Sequence, residues 1–497
     1  MATRVREIER KYEAPDAGEL PDPAESLGFA GELAEQRLTA VYFDTEDLRL
    51  LRAGVTLRRR EGGSDAGWHL KIPAGKDTRE ELRLPLGRAR RPPAKLLSLA
   101  RVHSRGAEVA PVAELVTHRK RWRLADADRE VAELVDDQVV ARTMGEQTTT
   151  QSWREVEVEL AEHGDVDVLD RVEAWLRTLG LDRSASSSKL GRLLADRLPG
   201  TDRPAGRAKP GSAGHGVLGY LRTQADQLRR HDPLVRQDAP DAVHQMRVAA
   251  RRMRSALRGF GRVLDPERTR PISDELRWMA GELADARDSE VMAERFGELL
   301  DGLPDELKLG PVKAQLEREF GSRQADARTR AIAALDSRRY LDLHHAIDEL
   351  LADPPLTGKA RRPAAKELPE GVDKAFRRLK SRMDQLVDLG PGLERDEALH
   401  EARKAAKRLR YATEVAGSSL GGRADRLRQR LKEVQELLGD HQDTVVARPV
   451  LRELAVKAQV SGGNGFAFGV LYGAEAARAE RLEARLPAAW RRLRKLR

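Results

Sequence analysis

Glu7, Glu9 and Lys11 alternate along one segment, so in an extended chain two carboxylates and an ammonium share a face. Glu155, Glu157 and Glu159 repeat the alternation much later, opposite Val156 and Val158. Between them the same period collects cations: Arg58 with Arg60, Arg119 with Arg121, and Lys71 closing the run Trp68–Lys71. Charges turned toward an interior are costly unless they meet a ligand, a metal or one another. Carboxylate oxygens suit hard cations such as Mg2+ or Mn2+. Guanidinium and ammonium groups suit phosphate oxygens. An interior with an acidic side and a basic side has the parts for metal-assisted attack of water on a phosphoanhydride. An exposed sheet with ordinary alternating charges explains the first run alone equally well, but not all the sets together.

A second constellation lies on helices. His244, Arg247, Arg251, Arg254 and Arg258 step by three or four residues and so hold one helix face. His400, Arg403, Lys407 and Arg410 repeat the pattern 156 residues later, with Lys404 beside them. The surrounding text repeats too: Asp241–Arg254 aligns with Glu397–Arg410, and Leu283–Asp288 with Leu438–Asp443. The copies differ at Val248 against Lys404, and at Arg287 against Gln442. Next to each basic rail runs an apolar seam, Met246, Ala250, Met253 and Leu257 in one copy, Ala402, Ala406 and Leu409 in the other. Each helix is thus expected to bury its seam and hold its cations at the edge of the contact, the two rails lining one groove. A solvated face paired to neighbouring carboxylates is the competing explanation, but it does not require His and three cations at matching places in both copies. The rails point to a polyanion such as inorganic polyphosphate, with the imidazoles as donors.

The elements that must position these groups follow from periodicity. Strand-like alternation is read at Val5–Lys11, Ala40–Asp44, Thr56–Arg60, Trp68–Ile72, Glu80–Leu84, His118–Leu124, Ala132–Val135 and Trp153–Leu160, with helices near Asp22–Leu27 and Val166–Leu179. Many antiparallel strands with few helices predict a barrel or strongly curved sheet. The segment 101–117 has no clear assignment. Residues 199–216, rich in Gly and Pro, read as a linker. Beyond it the helical period holds, broken at 353–371 into halves of about four helices each. The expected fold is α+β: an antiparallel β-barrel tunnel at 1–198, then an all-α domain at 217–497 of two pseudo-symmetric four-helix bundles, 217–352 and 372–497.

Composition sets limits. The chain has 497 residues, 90 Lys and Arg against 81 Asp and Glu, and a net charge of +9, which favours anionic partners. Aromatics at 4% argue against base stacking and so against nucleic acid. Without cysteine there is no disulfide, thiolate metal site or thiol catalysis. The first residues carry no apolar signal region, and Phe466–Ala477 is too short and Gly-rich to span a bilayer. A cytoplasmic protein with no membrane partner is expected. No P-loop pattern occurs.

Residues 1–197 resemble the CYTH domain of the triphosphate tunnel metalloenzymes, through Glu7–Lys11, Val41–Thr45, Thr56–Arg60, Trp68–Lys71, Thr117–Arg119 and Glu155–Glu159. Residues 216–497 resemble the CHAD domain, a duplicated helical domain with characteristic histidines and basic residues. The resemblance implies an eight-stranded tunnel and a metal-dependent triphosphatase, with inorganic triphosphate as substrate and polyphosphate bound by the helical domain. It implies metal binding and water activation by Glu7, Glu9, Glu157 and Glu159, with Asp136 as a further acidic ligand and Glu133 or Asp137 as alternatives to it. It assigns phosphate binding to Lys11, Arg58, Arg60, Lys71, Arg119, Arg121 and Lys189, with Lys11 also placed in the catalytic group. A non-enzymatic polyphosphate-binding or granule-targeting protein is the alternative, and thiamine triphosphatase or adenylate cyclase activity stands behind it.

Overall fold

The computed structural model describes residues 3–16, 18–75, 77–127, 129–145, 148–198 and 208–496. It divides into two compact units, residues 1–203 and 204–497. The N-terminal unit carries strands β1 (Thr3–Ala14), β2 (Ala30–Asp44), β3 (Thr56–Glu61), β4 (Gly67–Gly75), β5 (Thr78–Pro85), β6 (Ala110–Asp126), β7 (Arg129–Thr143) and β8 (Thr150–Leu160). Its helices are α1 (Pro23–Leu27), α2 (Arg49–Arg52), α3 (Ala94–Ser104), α4 (Val166–Thr178) and α5 (Lys189–Leu193). The strands pair antiparallel in the order β1-β5-β4-β3-β2-β6-β7-β8 and close into a barrel. β1 makes the closure by splitting, Thr3–Ile8 pairing with β5 and Glu9–Ala14 with β8. Eight strands leave room inside for side chains and one small ligand.

Alternation decides which side chains face in. On β1, Arg10 reaches Asp170 and Glu173 of α4 outside the barrel, so Glu7, Glu9 and Lys11 turn inward. Trp122, Leu124, Leu134, Val156 and Val158 pack outward under Leu169, Val172 and Leu176 of α4. Leu57, Trp68, Leu70 and Leu82 pack outward under Leu96 and Leu99 of α3. Leu115, Val139 and Trp153 face inward and join Leu190 and Leu193 of α5, which fills one end of the interior. Charges are therefore confined to the remaining part of the lumen. The unassigned stretch 101–117 is the end of α3, a loop and the start of β6.

The C-terminal unit is helical: α6 (Ala213–Arg236), α7 (Ala242–Gly259), α8 (Pro266–Glu282), α9 (Ala284–Asp301), α10 (Val312–Asp336), α11 (Arg338–Ala352), α12 (Ala364–Asp384), α13 (Leu393–Val415), α14 (Gly417–Leu420), α15 (Gly422–Val460) and α16 (Phe466–Arg494). The repeat maps α6 and α7 onto α12 and α13, and α10 onto α16. The pair α8 and α9 maps onto α15, one helix of 39 residues. The halves share a core, with Phe296, Phe320, Leu451 and Phe468 drawn from α9, α10, α15 and α16.

Both linkers are shorter than their composition suggests. Of 199–216, residues 199–207 lie outside the described residues, and α6 already begins at Ala213, capped by the Ser212 side chain accepting from the His215 amide. Gly214 is a packing residue there, since a Cβ would stand 3.2 Å from the Cβ of Ala360. Of 353–371, a short turn spans Gly358–Arg361 and α12 begins at Ala364. The second half of that segment is helical because Glu367 and Leu368 are buried.

Candidate functional site

Register brings the charges of the barrel together. Across β1 and β8, Glu9 stands opposite Glu159 and Lys11 opposite Glu157. Glu7 stands opposite Arg79, Lys71 opposite Glu81, and Arg119 opposite Asp137. Glu7, Glu9, Lys11, Lys71, Arg79, Arg119, Glu157 and Glu159 line a cavity of about 1040 Å³, together with Arg58, Arg60, Arg121 and Lys189.

Glu7, Glu9 and Glu159 form an acidic pole, each with an oxygen within 4.8 Å of the others. Like charges facing one another across a ladder are unfavourable without a partner. Burial and the Glu7 charge push the Glu159 carboxyl up to about 8. Burial raises Glu7 as well, although Lys71 lies 2.5 Å from it. Burial acts on Glu9 in the same sense, but Lys11 and Lys71 outweigh it and hold Glu9 below the ordinary range. Three converging carboxylates with raised proton affinity at two of them are a fitting donor set for a hard divalent cation.

Cations occupy the rest of the wall. Lys189 contacts Asp137 at 2.9 Å, Glu155 at 2.8 Å and Glu157 at 2.5 Å. Arg119 grips Asp137 through two hydrogen bonds of 2.8 and 2.7 Å. Lys11 pairs with Glu157, Arg121 with Glu133 and Arg60 with Asp65. Arg58 donates to the Tyr42 hydroxyl at 3.3 Å, and its carboxylate neighbour Glu81 is 3.9 Å away.

Asp136 is the correction. The strand period turns it outward, where Arg154 holds it in two hydrogen bonds of 2.8 Å. It lines a separate depression on the barrel wall. Its neighbour Asp137 faces in, as does Glu133. The outward parity was legible in Ala132 and Leu134, which share the face of Asp136 and lie in the core under α4. The strand β5 adds groups the sequence reading passed over: Arg79 lies 3.5 Å from Glu9, and Arg83 lies 2.9 Å from Glu7. Glu81 is fully buried behind them, bonded to His69 at 2.8 Å. The available signal was Arg79, Glu81 and Arg83 alternating with Glu80, Leu82 and Leu84.

In the helical unit α7 and α13 pack together through the expected seams: Met246, Ala250, Met253, Ala402, Ala406 and Leu409 are at most 0% exposed. Thr413, a buried polar residue one turn beyond Leu409 on α13, satisfies its hydroxyl on the Leu409 carbonyl at 2.8 Å. Beside the seam Arg247, Arg251, Arg403 and Lys407 repel one another. Arg251, Arg254 and Lys407 make no ion pair with a carboxylate among the described residues. Lys407 is pushed down to about 7 by burial and by Arg403, Arg251 and Arg247, against Asp443. Arg247 reaches Asp288 at 3.1 Å and Arg403 reaches Asp443 at 3.7 Å, matching contacts in the two copies. His400 bonds Gln442 at 2.5 Å, while burial and Arg287 lower His244. Two positions lie apart from the cluster: Lys404 is exposed and paired to Glu401 at 2.7 Å, and Arg410 turns to Glu414 at 3.1 Å.

No helix among the described residues is long and apolar enough to cross a membrane. The CYTH domain model matches residues 5–192 and the CHAD domain model residues 219–452. Uncharacterized protein Rv2226 of Mycobacterium tuberculosis is 37% identical over 510 residues, covering 99% of this chain and 96% of that protein. Thiamine-triphosphatase of Homo sapiens is 42% identical over 77 residues, 15% of this chain and 29% of that protein. The CHAD domain from the plant Ricinus communis is similar over 58% of this chain and 93% of its own, at 26% identity and a TM-score of 0.47. With a charged barrel at one end, a duplicated basic helix pair at the other, and a relative that matches from end to end, the chain belongs to the proteins that join a CYTH domain to a CHAD domain.

Proposed function

We propose that the barrel hydrolyses inorganic triphosphate with a divalent cation, Mg2+ or Mn2+, and that the helical domain binds inorganic polyphosphate. The acidic pole and the cationic wall within one cavity carry this reading. Glu7, Glu9 and Glu159 would hold the cation, with Glu157 close by and Asp137 or Glu133, rather than Asp136, as the further acidic group. A bound cation would neutralise phosphate charge and polarise the phosphoryl group under attack. Lys11, Arg58, Arg60, Lys71, Arg119 and Arg121 would grip phosphate oxygens, with Arg79 and Arg83 joining from β5. Water adds to the terminal phosphorus, the bridging P–O bond breaks, and orthophosphate and pyrophosphate leave. A carboxylate of the acidic pole would accept the proton of that water.

Initial rates of phosphate release from inorganic triphosphate, thiamine triphosphate and ATP, with Mg2+ or Mn2+, test the proposal. Turnover is expected to be fastest on inorganic triphosphate. No release from any of them, with polyphosphate still bound, would favour a binding protein, localised to cytoplasmic polyphosphate granules, over an enzyme.

Arg251, Arg254 and Lys407, without a carboxylate partner among the described residues, support the second half. A polyanion raises the proton affinity of Lys407, so binding above about pH 7 takes up a proton. Polyphosphate affinity is expected to fall between about pH 6 and pH 9, and Lys407→Met to flatten that slope. The ligand-free protein has the opposite trend: an unfolded lysine keeps its proton to 10.5 and the folded one only to about 7, so this group adds stability as pH rises between them. Fluorescence anisotropy with labelled polyphosphate and urea melts over the same pH range check both signs.

A further inference from the structure

The two basic rails are related by the repeat, and the central cluster respects it. Arg247 matches Arg403 and Arg251 matches Lys407, and the neighbours exchange accordingly: Arg251 is pressed by Arg403, and Lys407 by Arg247. The next helical turn breaks the symmetry. Arg258 of α7 stands where α13 has Glu414. Glu414 is part-buried and gathers its surroundings: Arg252 at 2.9 Å, Arg410 at 3.1 Å and the Tyr220 hydroxyl at 2.9 Å. At the matching end Arg258 stands beside Arg254 and Arg408, and none of the three makes an ion pair among the described residues. Arg277 and Arg378 adjoin them, with Asp274 and Glu401 as the acidic neighbours, the latter already paired to Lys404. The Arg254 Nε is buried without a hydrogen-bond partner among the described residues. One end of the face is therefore self-neutralised and the other is left cationic.

We propose that the anion-binding face of the helical domain is directional. A phosphate chain crosses Arg247, Arg251, Arg403 and Lys407 and continues over Arg254, Arg258 and Arg408, while Glu414 ends the track on the opposite side. This rests on the polyphosphate reading above and specifies the path within it. Glu414 acts as a specificity residue by occupying Arg252 and Arg410, which would otherwise present donors to phosphate.

Full-length protein and long-chain inorganic polyphosphate test it, with affinity measured against salt concentration. Arg258→Glu, at an exposed position without an ion pair among the described residues, is expected to weaken binding by roughly threefold or more and to lower the salt slope by about one contact. Glu414→Gln keeps the side-chain shape, frees two arginines, and is expected to tighten binding and steepen the slope. Thermal melts confirm that each variant is folded. The proposal is overturned if both variants bind as the parent does while Arg251→Met with Lys407→Met abolishes binding; in that case the polyphosphate reading stands. If the double variant also binds normally, the polyphosphate reading itself fails.

Discussion

Glu9→Gln is expected to lower triphosphate hydrolysis by at least about 100-fold, a floor taken from the loss seen when groups that merely support a metal ligand are removed. Glu9 faces Glu159 across the ladder and is kept ionised by Lys11 and Lys71. The amide preserves volume and removes the charge, so the cation loses its most dependable anionic ligand. The concentration of Mg2+ or Mn2+ giving half-maximal rate should rise as well. Polyphosphate binding should be unchanged, because the rails lie in a separate compact unit. Asp136→Asn is the informative control: its carboxylate points out to Arg154, so turnover should survive even where stability falls. Retention of more than about a tenth of the parent rate by Glu9→Gln would remove the acidic pole from the mechanism.

Lys189→Met should destabilise the barrel by roughly 3–5 kcal/mol, the range for taking one partner from a buried ion pair. Lys189 is 8% exposed, and its ammonium touches three carboxylates, Asp137, Glu155 and Glu157. Arg119 still serves Asp137 and Lys11 still serves Glu157, so Glu155 keeps the Trp153 indole N–H at 2.6 Å and the neighbouring Glu157 carboxyl but loses its cation. Glu155→Gln in the Lys189→Met background should therefore recover a large part of the loss, which a double-mutant cycle by urea denaturation measures. Additive single effects would show that Lys189 is a solvated phosphate ligand rather than the pin that holds α5 in the barrel.

The charged faces were legible because side-chain direction in a strand is a matter of parity. Once Val156 and Val158 belong to a core, Glu155, Glu157 and Glu159 have no other direction to take. The same parity, applied to Leu134, would have excluded Asp136 and chosen Asp137. It would also have found Arg79, Glu81 and Arg83 beside Leu82 and Leu84. The helical rails were legible for the parallel reason that a step of three or four keeps a face. Linker lengths were misread because Gly and Pro mark turns only where nothing packs on them. Gly214 is packed upon, since its close approach to Ala360 is made with a residue far along the chain.

Local sequence thus determined which groups share a face, that two helices carry matched cations, and that the strand and helix regions are separate. Tertiary structure decided which faces meet. Glu9 opposes Glu159 only because β1 splits between β5 and β8, a pairing between residues 150 apart. Arg410 turns to Glu414 one helical turn on in α13, and only the fold brings Arg252 of the other half to the same carboxylate. Periodicity is written in neighbours along the chain, whereas the energy of a buried charge depends on what long-range packing places within a few ångströms of it.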